Sequence, residues 1–261
     1  MKMPRITNTI DEITKDYNYA KEKPDVFYAQ SFLNRNGGLL DNDNNKVTIS
    51  NQIATWMFDS NPLYQVKRIR SNMPYWIDRN GMPTTKTQNS NREEELVAMA
   101  LFRKKDYTGS DIDRFVNYQV PIYRGHEYKD EHIGKIDLVA ISHKDKRILL
   151  MELKKYSSDE TLLRCVCESY TYYKQICSCK LRKEISGQQG YESVENYQVL
   201  PAVLVFKDRR QHAQYESELF DKVKELMKSL GVSMYVIDSS VQFDSKQYDA
   251  YIDQCTITEV K

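Results

Sequence analysis

The sequence predicts an α/β fold, a mixed central sheet flanked by helices in the order α-β-β-β-α-β-α-β. Three observations carry this reading. Between residues 115 and 155, three strand-like runs follow one another with short polar connections, the pattern of antiparallel hairpins. Beyond residue 157, helical and strand patterns alternate, which brings parallel strands and helices on both faces. The run 197–206 is apolar almost throughout, as a buried strand requires.

The first clear element is a helix over 91–104. Ser90 or Asn91 can cap it, and Glu93, Glu94 and Glu95 lie in its first turn, where the helix dipole favours acids. Leu96, Val97, Ala100 and Leu101 form its apolar stripe, and Arg103 to Lys105 end it. Strands follow at 115–123, 135–142 and 146–155, the last two joined by the turn "HKDK". A single long helix is expected over 157–184, with Ser158 as cap and Asp159 and Glu160 in its first turn. Strand 197–206, an amphipathic helix over 213–231 closed by Gly231, and strand 232–238 complete the order.

Residues 1–89 are less patterned and are expected to be an N-terminal extension to a domain over 90–261. Its stretch 34–46 reads as a polar Gly/Asn/Asp loop, 49–69 as a short helix capped by Ser50 and then a strand, and 81–91 as a linker. Substrate contact or dimerisation is the role expected of this extension.

The 261 residues suffice for one large core. Basic residues number 38 and acidic ones 37, so a polyanionic partner must be held by local patches and not by overall charge. No signal-peptide layout and no apolar run of membrane-spanning length is visible, which makes a cytoplasmic location, away from membranes, the expectation. Five cysteines and no leader argue against a disulfide framework. Cys165, Cys167, Cys177 and Cys179 cluster in sequence, but on one long helix Cys165 and Cys177 would stand ~18 Å apart at ~1.5 Å rise per residue. One metal cannot join them, so small buried or half-buried thiols are expected.

The stretch 136–155, "IDLVAISHKDKRILLMELKK", places charges inside strand patterns. Strand alternation puts Glu152 and Lys154 on one face, and counting back through the turn sets Asp137 opposite Glu152. Two carboxylates on a rigid sheet can hold one Mg²⁺ or Mn²⁺, whose bound water is a nucleophile, and a neighbouring lysine can orient that water. The same residues can also form a cross-strand ion pair at a solvated hairpin end, an arrangement that contributes ~0–1 kcal/mol. Both readings fit the pairing.

The Asp in "GKIDLVAI", the acid-x-Lys in "LLMELKK", the following helix and the fourth strand together resemble the PD-(D/E)XK phosphodiesterase superfamily, the restriction-endonuclease-like nucleases. The likeness spans about residues 90–238 in element order, with Ile136 in place of the eponymous proline. It implies metal-dependent hydrolysis of nucleic-acid phosphodiesters, DNA above all, in a microbial defence, mobile-element or repair setting. It implies that Asp137 and Glu152 bind the metal with the Leu153 carbonyl as a third ligand, and that Lys154 positions the attacking water. An acid from the preceding helix often joins such sites; Glu93 is best aimed inward and Glu94 nearly as well, against their role as dipole partners. Glu168 and Tyr172 have the spacing of a Gln-x-x-x-Tyr found in exonuclease-like members, with Glu in place of Gln, and a structural role is favoured for them.

Nucleic acid also needs phosphate contacts. Candidate clusters are Lys67, Arg68 and Arg70; Lys180, Arg182 and Lys183; and Lys207, Arg209 and Arg210. Tyr75 and Trp76 are candidates for stacking on bases. His126 and His132 read as surface residues. A homodimer is expected if both strands of a duplex are cut. The alternative reading is a catalytically inactive nuclease-like fold that binds nucleic acid or protein.

Overall fold

The computed structural model describes residues 10–35, 37–40, 46–78, 93–125, 132–244 and 248–261. The amino-terminal part contains α1 (Ile10–Ala20), a small antiparallel hairpin of β1 (Gly38–Leu40) and β2 (Lys46–Thr48), and α2 (Ile49–Asp59). Then come α3 (Glu93–Arg103), β3 (Arg114–Tyr123), β4 (His132–Ser142), β5 (Arg147–Leu153), α4 (Leu162–Gln175) and α5 (Ser178–Ser186). The chain closes with β6 (Gln198–Phe206), α6 (Arg210–Glu216), α7 (Asp221–Leu230), β7 (Ser233–Ser239), α8 (Tyr248–Asp253) and β8 (Cys255–Val260).

One six-stranded sheet runs β3-β4-β5-β6-β7-β8. It is antiparallel from β3 to β5, parallel from β5 to β7, and antiparallel again at β8. The pleat sorts the side chains. Leu149, Met151 and Leu153 of β5 join Ala202, Leu204 and Phe206 of β6 against α3 and α8. Val203 and Val205 of β6 point the other way, into a cluster with residues of α1, α2, α4 and α7. A third cluster packs Ile148 and Leu150 of β5 with α5 and the segment carrying Ile69 and Tyr75. Residues 10–66 thus share apolar packing with the sheet: Ile13, Phe27, Leu33 and Ile53 lie in the same cluster as Val203 and Met234.

The expected elements appear in the expected order, with local corrections. The helix over 157–184 starts at Leu162, because Thr161 and not Ser158 supplies the cap; the Arg164 amide donates to Thr161 Oγ1 at 3.2 Å. It breaks at Ile176 and Cys177, both in extended conformation, and the break turns α5 under the segment 71–76. There Lys180 Nζ donates to the carbonyls of Ser71 and Met73, and the amides of Tyr75 and Trp76 donate to Glu184 Oε2 at 2.7 and 2.9 Å. The helix over 213–231 likewise divides at Ser217, whose hydroxyl takes the Leu219 amide. Gly231 does end α7, in the left-handed conformation at φ 67°. Thr48, not Ser50, caps α2, and a 3-10 turn (Pro62–Gln65) with extended chain stands where a strand was expected near 60–69. Ser90 and Asn91, the expected caps of α3, lie outside the described residues.

Two backbone features position the site. Gly134 on β4 lies under the ring of Tyr172 from α4, where an added Cβ would sit 2.6 Å from a ring carbon and 2.7 Å from the hydroxyl oxygen. Gln119, opposite Asp137 in the β3–β4 register, has φ 47°, a left-handed conformation that costs a non-glycine residue ~1–2 kcal/mol. Gly134→Ala is expected to destabilise the fold by ~1–3 kcal/mol through the clash with Tyr172. A urea midpoint unchanged from wild type would show that this close approach does not constrain the sheet.

Candidate active site

The β4–β5 ladder ends at the pair Leu138↔Met151, and one further step in the same register sets Asp137 opposite Glu152. Glu152 and Lys154 follow Ile148 and Leu150 on the face covered by α4 and α5, so all three charged groups meet α4 at the carboxyl end of β5. Lys154 is 4% exposed and Glu152 5% exposed, which removes the solvated ion pair from consideration. Asp137 is enclosed by protein yet keeps part of its surface open to solvent.

Each group is held from several elements. Asp137 Oδ2 accepts the Leu153 amide at 3.0 Å, and its Oδ1 accepts the Gln119 side-chain amide at 2.8 Å. Gln119, with its unusual backbone, thus presents its side-chain amide to the carboxylate. Lys154 Nζ lies 2.6 Å from Glu152 Oε1, 2.7 Å from Glu160 Oε2 and 3.3 Å from Glu168 Oε2. Glu168 in turn accepts the Tyr172 hydroxyl at 3.2 Å, and the Tyr28 hydroxyl stands 3.2 Å from that Tyr172 oxygen, to which it can donate. Arg164 Nε stands 3.1 Å from the other oxygen of Glu160.

Four carboxylates (Asp137, Glu152, Glu160, Glu168) therefore surround two cations (Lys154, Arg164), leaving an excess of negative charge in a poorly hydrated place. The titration behaviour follows. Burial pushes the Asp137 carboxyl up to about 7, aided by the charges of Glu94 and Glu168 and opposed by Lys154. Burial also lifts Glu152 well above the usual carboxylate range, with Asp137 and Glu168 adding to the effect. Burial alone would lower the Lys154 ammonium, but its acid neighbours, Glu152 first, reverse this and hold it well above its ordinary value. The cluster is thus a carboxylate pair short of positive charge beside a firmly protonated lysine. A divalent cation has the charge and the oxygen preference that such a pair lacks. Among the described residues, no group of three or more His, Cys, Asp or Glu side chains is spaced to hold a metal ion.

Of the residues singled out in the sequence, Asp137, Glu152 and Lys154 come together, and Leu153 contributes its amide to Asp137. The order of Glu93 and Glu94 is reversed. Glu94 accepts the Lys155 amide at 3.3 Å and its charge is felt at Asp137. Glu93 turns away to line a cavity of about 660 Å³ with Tyr156, Ser157, Gln242, Phe243 and Asp244. The helical pitch places both at the first turn of α3, where one residue of rotation decides which acid faces the strand end.

Glu168, for which the sequence favours a structural role, bonds Lys154 directly and takes the Tyr172 hydroxyl on its other oxygen. Glu160 was read as a dipole partner and instead meets Lys154 ahead of the true helix start. Gln119 gave no signal, because a left-handed residue within a strand breaks the alternation on which strand reading depends.

The basic clusters separate. Lys207 pairs with Asp238 at 2.6 Å, the Arg209 guanidinium lies 3.7 Å over the Tyr156 ring, and Arg210 begins α6, so this group rims the carboxyl ends of β5 and β6. Lys67, Arg68 and Arg70 are exposed on the segment that bonds to Gln175 and Gly125 through the Ile69 amide and the Arg70 carbonyl. Lys180 and Arg182 donate to backbone carbonyls, a structural use. Tyr75 is buried and its hydroxyl accepts the Cys177 amide, so it is not a stacking platform; Trp76 packs beside Tyr191. His126 lies outside the described residues; His132 starts β4. No helix among the described residues is long and apolar enough to cross a membrane.

Compared with protein-family models, with curated proteins and with solved structures, the chain finds no match in any of the three.

Two outcomes follow for stability. Between pH 3.8 and about 7 the native state holds the Asp137 proton that the unfolded chain releases, so stability falls as pH rises through that window. Asp137→Asn, with Gln119 free to turn its amide, is expected to raise the melting temperature in chelator at pH 8 and to flatten this slope; equal slopes for variant and wild type would refute it. Lys154→Ala leaves Glu152 and Glu168 without their cation, while Glu160 keeps Arg164, and is expected to cost ~3–5 kcal/mol in a urea melt, against less than ~1 kcal/mol for an exposed pair.

Proposed function

We propose that the protein is a metal-dependent nuclease of the PD-(D/E)XK type, hydrolysing phosphodiester bonds in nucleic acid, with DNA as the substrate and a restriction-endonuclease-like sheet as the scaffold. The observation that carries this reading is the facing pair Asp137 and Glu152 with Lys154 two residues on, all held on one sheet face with a deficit of positive charge.

In this reading Asp137 and Glu152 hold Mg²⁺ or Mn²⁺, with the Leu153 carbonyl as the further contact that the resemblance implies. Such an ion, when bound, lowers the pKa of its water and neutralises charge on the phosphoryl oxygens. The chain's own groups supply the rest. Gln119 and the Leu153 amide fix the Asp137 carboxylate in one orientation. Lys154, kept protonated by its neighbours, would exchange one of its three carboxylate contacts for the attacking water, donating a hydrogen bond to it and facing the phosphate with its charge. Glu168, steadied by Tyr172 and Tyr28, keeps the ammonium in place. Lys207, Arg209 and Arg210 stand at the strand ends, where they can take backbone phosphates, and Lys67, Arg68 and Arg70 can extend that path. One site cuts one strand, so cleavage of a duplex calls for two copies of the chain. A microbial defence, mobile-element or repair role, in the cytoplasm, is the setting this activity fits.

A second reading has an observation of its own. Lys154 is already engaged by three carboxylates, and both Asp137 oxygens already accept hydrogen bonds. A catalytically inactive fold that binds nucleic acid or protein would hold its charges in this way.

Plasmid and single-stranded DNA incubated with Mg²⁺ or Mn²⁺ distinguish the two. Wild type is expected to cleave, and Asp137→Asn, still folded by its melting curve, to be slower by about 100-fold or more. Mg²⁺ is further expected to raise the wild-type melting temperature at pH 8 and to leave that of Asp137→Asn unmoved. Absence of both cleavage and a metal-dependent shift would hand the site to the second reading.

A further inference from the structure

The five cysteines fall into two chemical classes. Cys165, Cys167 and Cys255 are buried, and burial pushes each of their thiols above the ordinary range. Cys177 and Cys179 differ. They bracket the start of α5, Cys179 is exposed and Cys177 partly so, and their sulfur atoms stand 3.0 Å apart in a hydrogen bond.

The surroundings of Cys177 favour its thiolate. Burial opposes ionisation there, but the Cys179 sulfur lies in hydrogen-bond contact with that of Cys177, the amides of Lys180 and Cys179 face it without closing a cap hydrogen bond, and Arg68 adds its charge. Together these hold the Cys177 thiol below the usual cysteine value. A helix start and a nearby guanidinium are the two settings that acidify thiols most often. The helix break explains the geometry: Ile176 and Cys177 are extended, so the pair straddles the start of α5 and is not carried on one continuous helix, where i and i+2 side chains point apart.

We propose that Cys177 and Cys179 form a reversible, peroxide-responsive dithiol, with Cys177 as the attacking sulfur and Cys179 as the resolving one. The Cys177 thiolate attacks one oxygen of a hydroperoxide, breaking the O–O bond and releasing the alcohol or water as it takes up a proton; Cys177 becomes a sulfenic acid. The Cys179 sulfur then attacks the Cys177 sulfur, its proton leaves with the departing hydroxide as water, and the S–S bond forms. The peroxide is reduced by two electrons and the two thiols are oxidised by two. A ring closed across a single residue at an exposed helix start is strained, and strained exposed disulfides are the readily reduced ones, so a dithiol reductant restores the pair.

The pair also touches a clamp. The Cys177 amide donates to the Tyr75 hydroxyl at 3.1 Å, and α5 holds the segment 71–76 through Lys180 and Glu184. Ring closure draws on the first turn of that helix, so oxidation acts where the amino-terminal segment is fastened to the sheet. This proposal stands apart from the nuclease reading and needs neither a metal nor a nucleic acid.

Trypsin cuts after Lys174 and Lys180, which isolates both sulfurs on the peptide 175–180, "QICSCK". After treatment of the native protein with a small excess of hydrogen peroxide, this peptide is expected to be two hydrogens lighter and to return to its starting mass with dithiothreitol. In Cys179→Ser the sulfenic acid at Cys177 is expected to accumulate and be trapped by dimedone, and Cys177→Ser should consume peroxide at least tenfold more slowly than wild type. A wild-type peptide that stays reduced, or that gains oxygen without passing through the disulfide, overturns the proposal. So does equal peroxide consumption by wild type and Cys177→Ser.

Discussion

The ammonium of Lys154 is the charge around which this structure is arranged. At 4% exposed it has lost its water, and only carboxylates can replace what that water supplied. They arrive from three places: Glu152 two residues back on the same strand face, Glu160 from the loop after β5, and Glu168 from the second turn of α4. Each arrival fixes something larger. Glu168 sets the rotation of α4 over the sheet, and Glu160 sets the path of the chain before Thr161 can cap that helix. The hairpin register adds Asp137 on the opposite strand, and with it more negative charge than the two cations balance. A fold optimised for stability alone would fill this place with apolar side chains. That it holds a lysine ringed by acids is the physical reason to read it as a site.

Support for the cluster reaches outward through aromatic residues. Tyr172 links Glu168 to Tyr28, and the two rings meet edge-on at 5.4 Å. Tyr172 also occupies the space that Gly134 leaves on β4. A single side chain therefore ties together the site acid on α4, the strand that carries Asp137, and the amino-terminal segment. The segment 10–35 bears on the site through this contact and through the cluster that Ile13, Phe27 and Leu33 share with the sheet.

Much of this was legible in the sequence, and the limits have identifiable causes. The strands were readable as short apolar and β-branched runs bounded by polar turns, and the facing of Asp137 and Glu152 followed from counting through a short turn. Helix ends were less readable: 157–184 has helical composition throughout, and nothing local in Ile176-Cys177 announces a break that tertiary bonds to Tyr75, Lys180 and Glu184 create. The last helix and strand, α8 and β8, escaped notice because six-residue elements carry too few turns or alternations to show a period. Glu160, Glu168 and Gln119 lie 8, 16 and 33 positions from Glu152 in the chain, and their convergence belongs to the tertiary fold.

The way the amino-terminal helices close against the carboxyl-terminal ones has a consequence for biosynthesis. Thr48 Oγ1 donates to the Leu219 carbonyl and the Lys222 amide donates to Asn51 Oδ1, each across 171 residues of chain. At translation speeds of ~5–20 residues per second, α2 leaves the ribosome roughly 10–35 s before the turn and helix that cover it. Until α7 is made, Ile53 and Met57 of α2 lack part of their apolar cover, and the nascent chain presents an oily surface to its surroundings. A chain in that state is a client for holding chaperones, and slower translation ahead of α7 would lengthen its exposure.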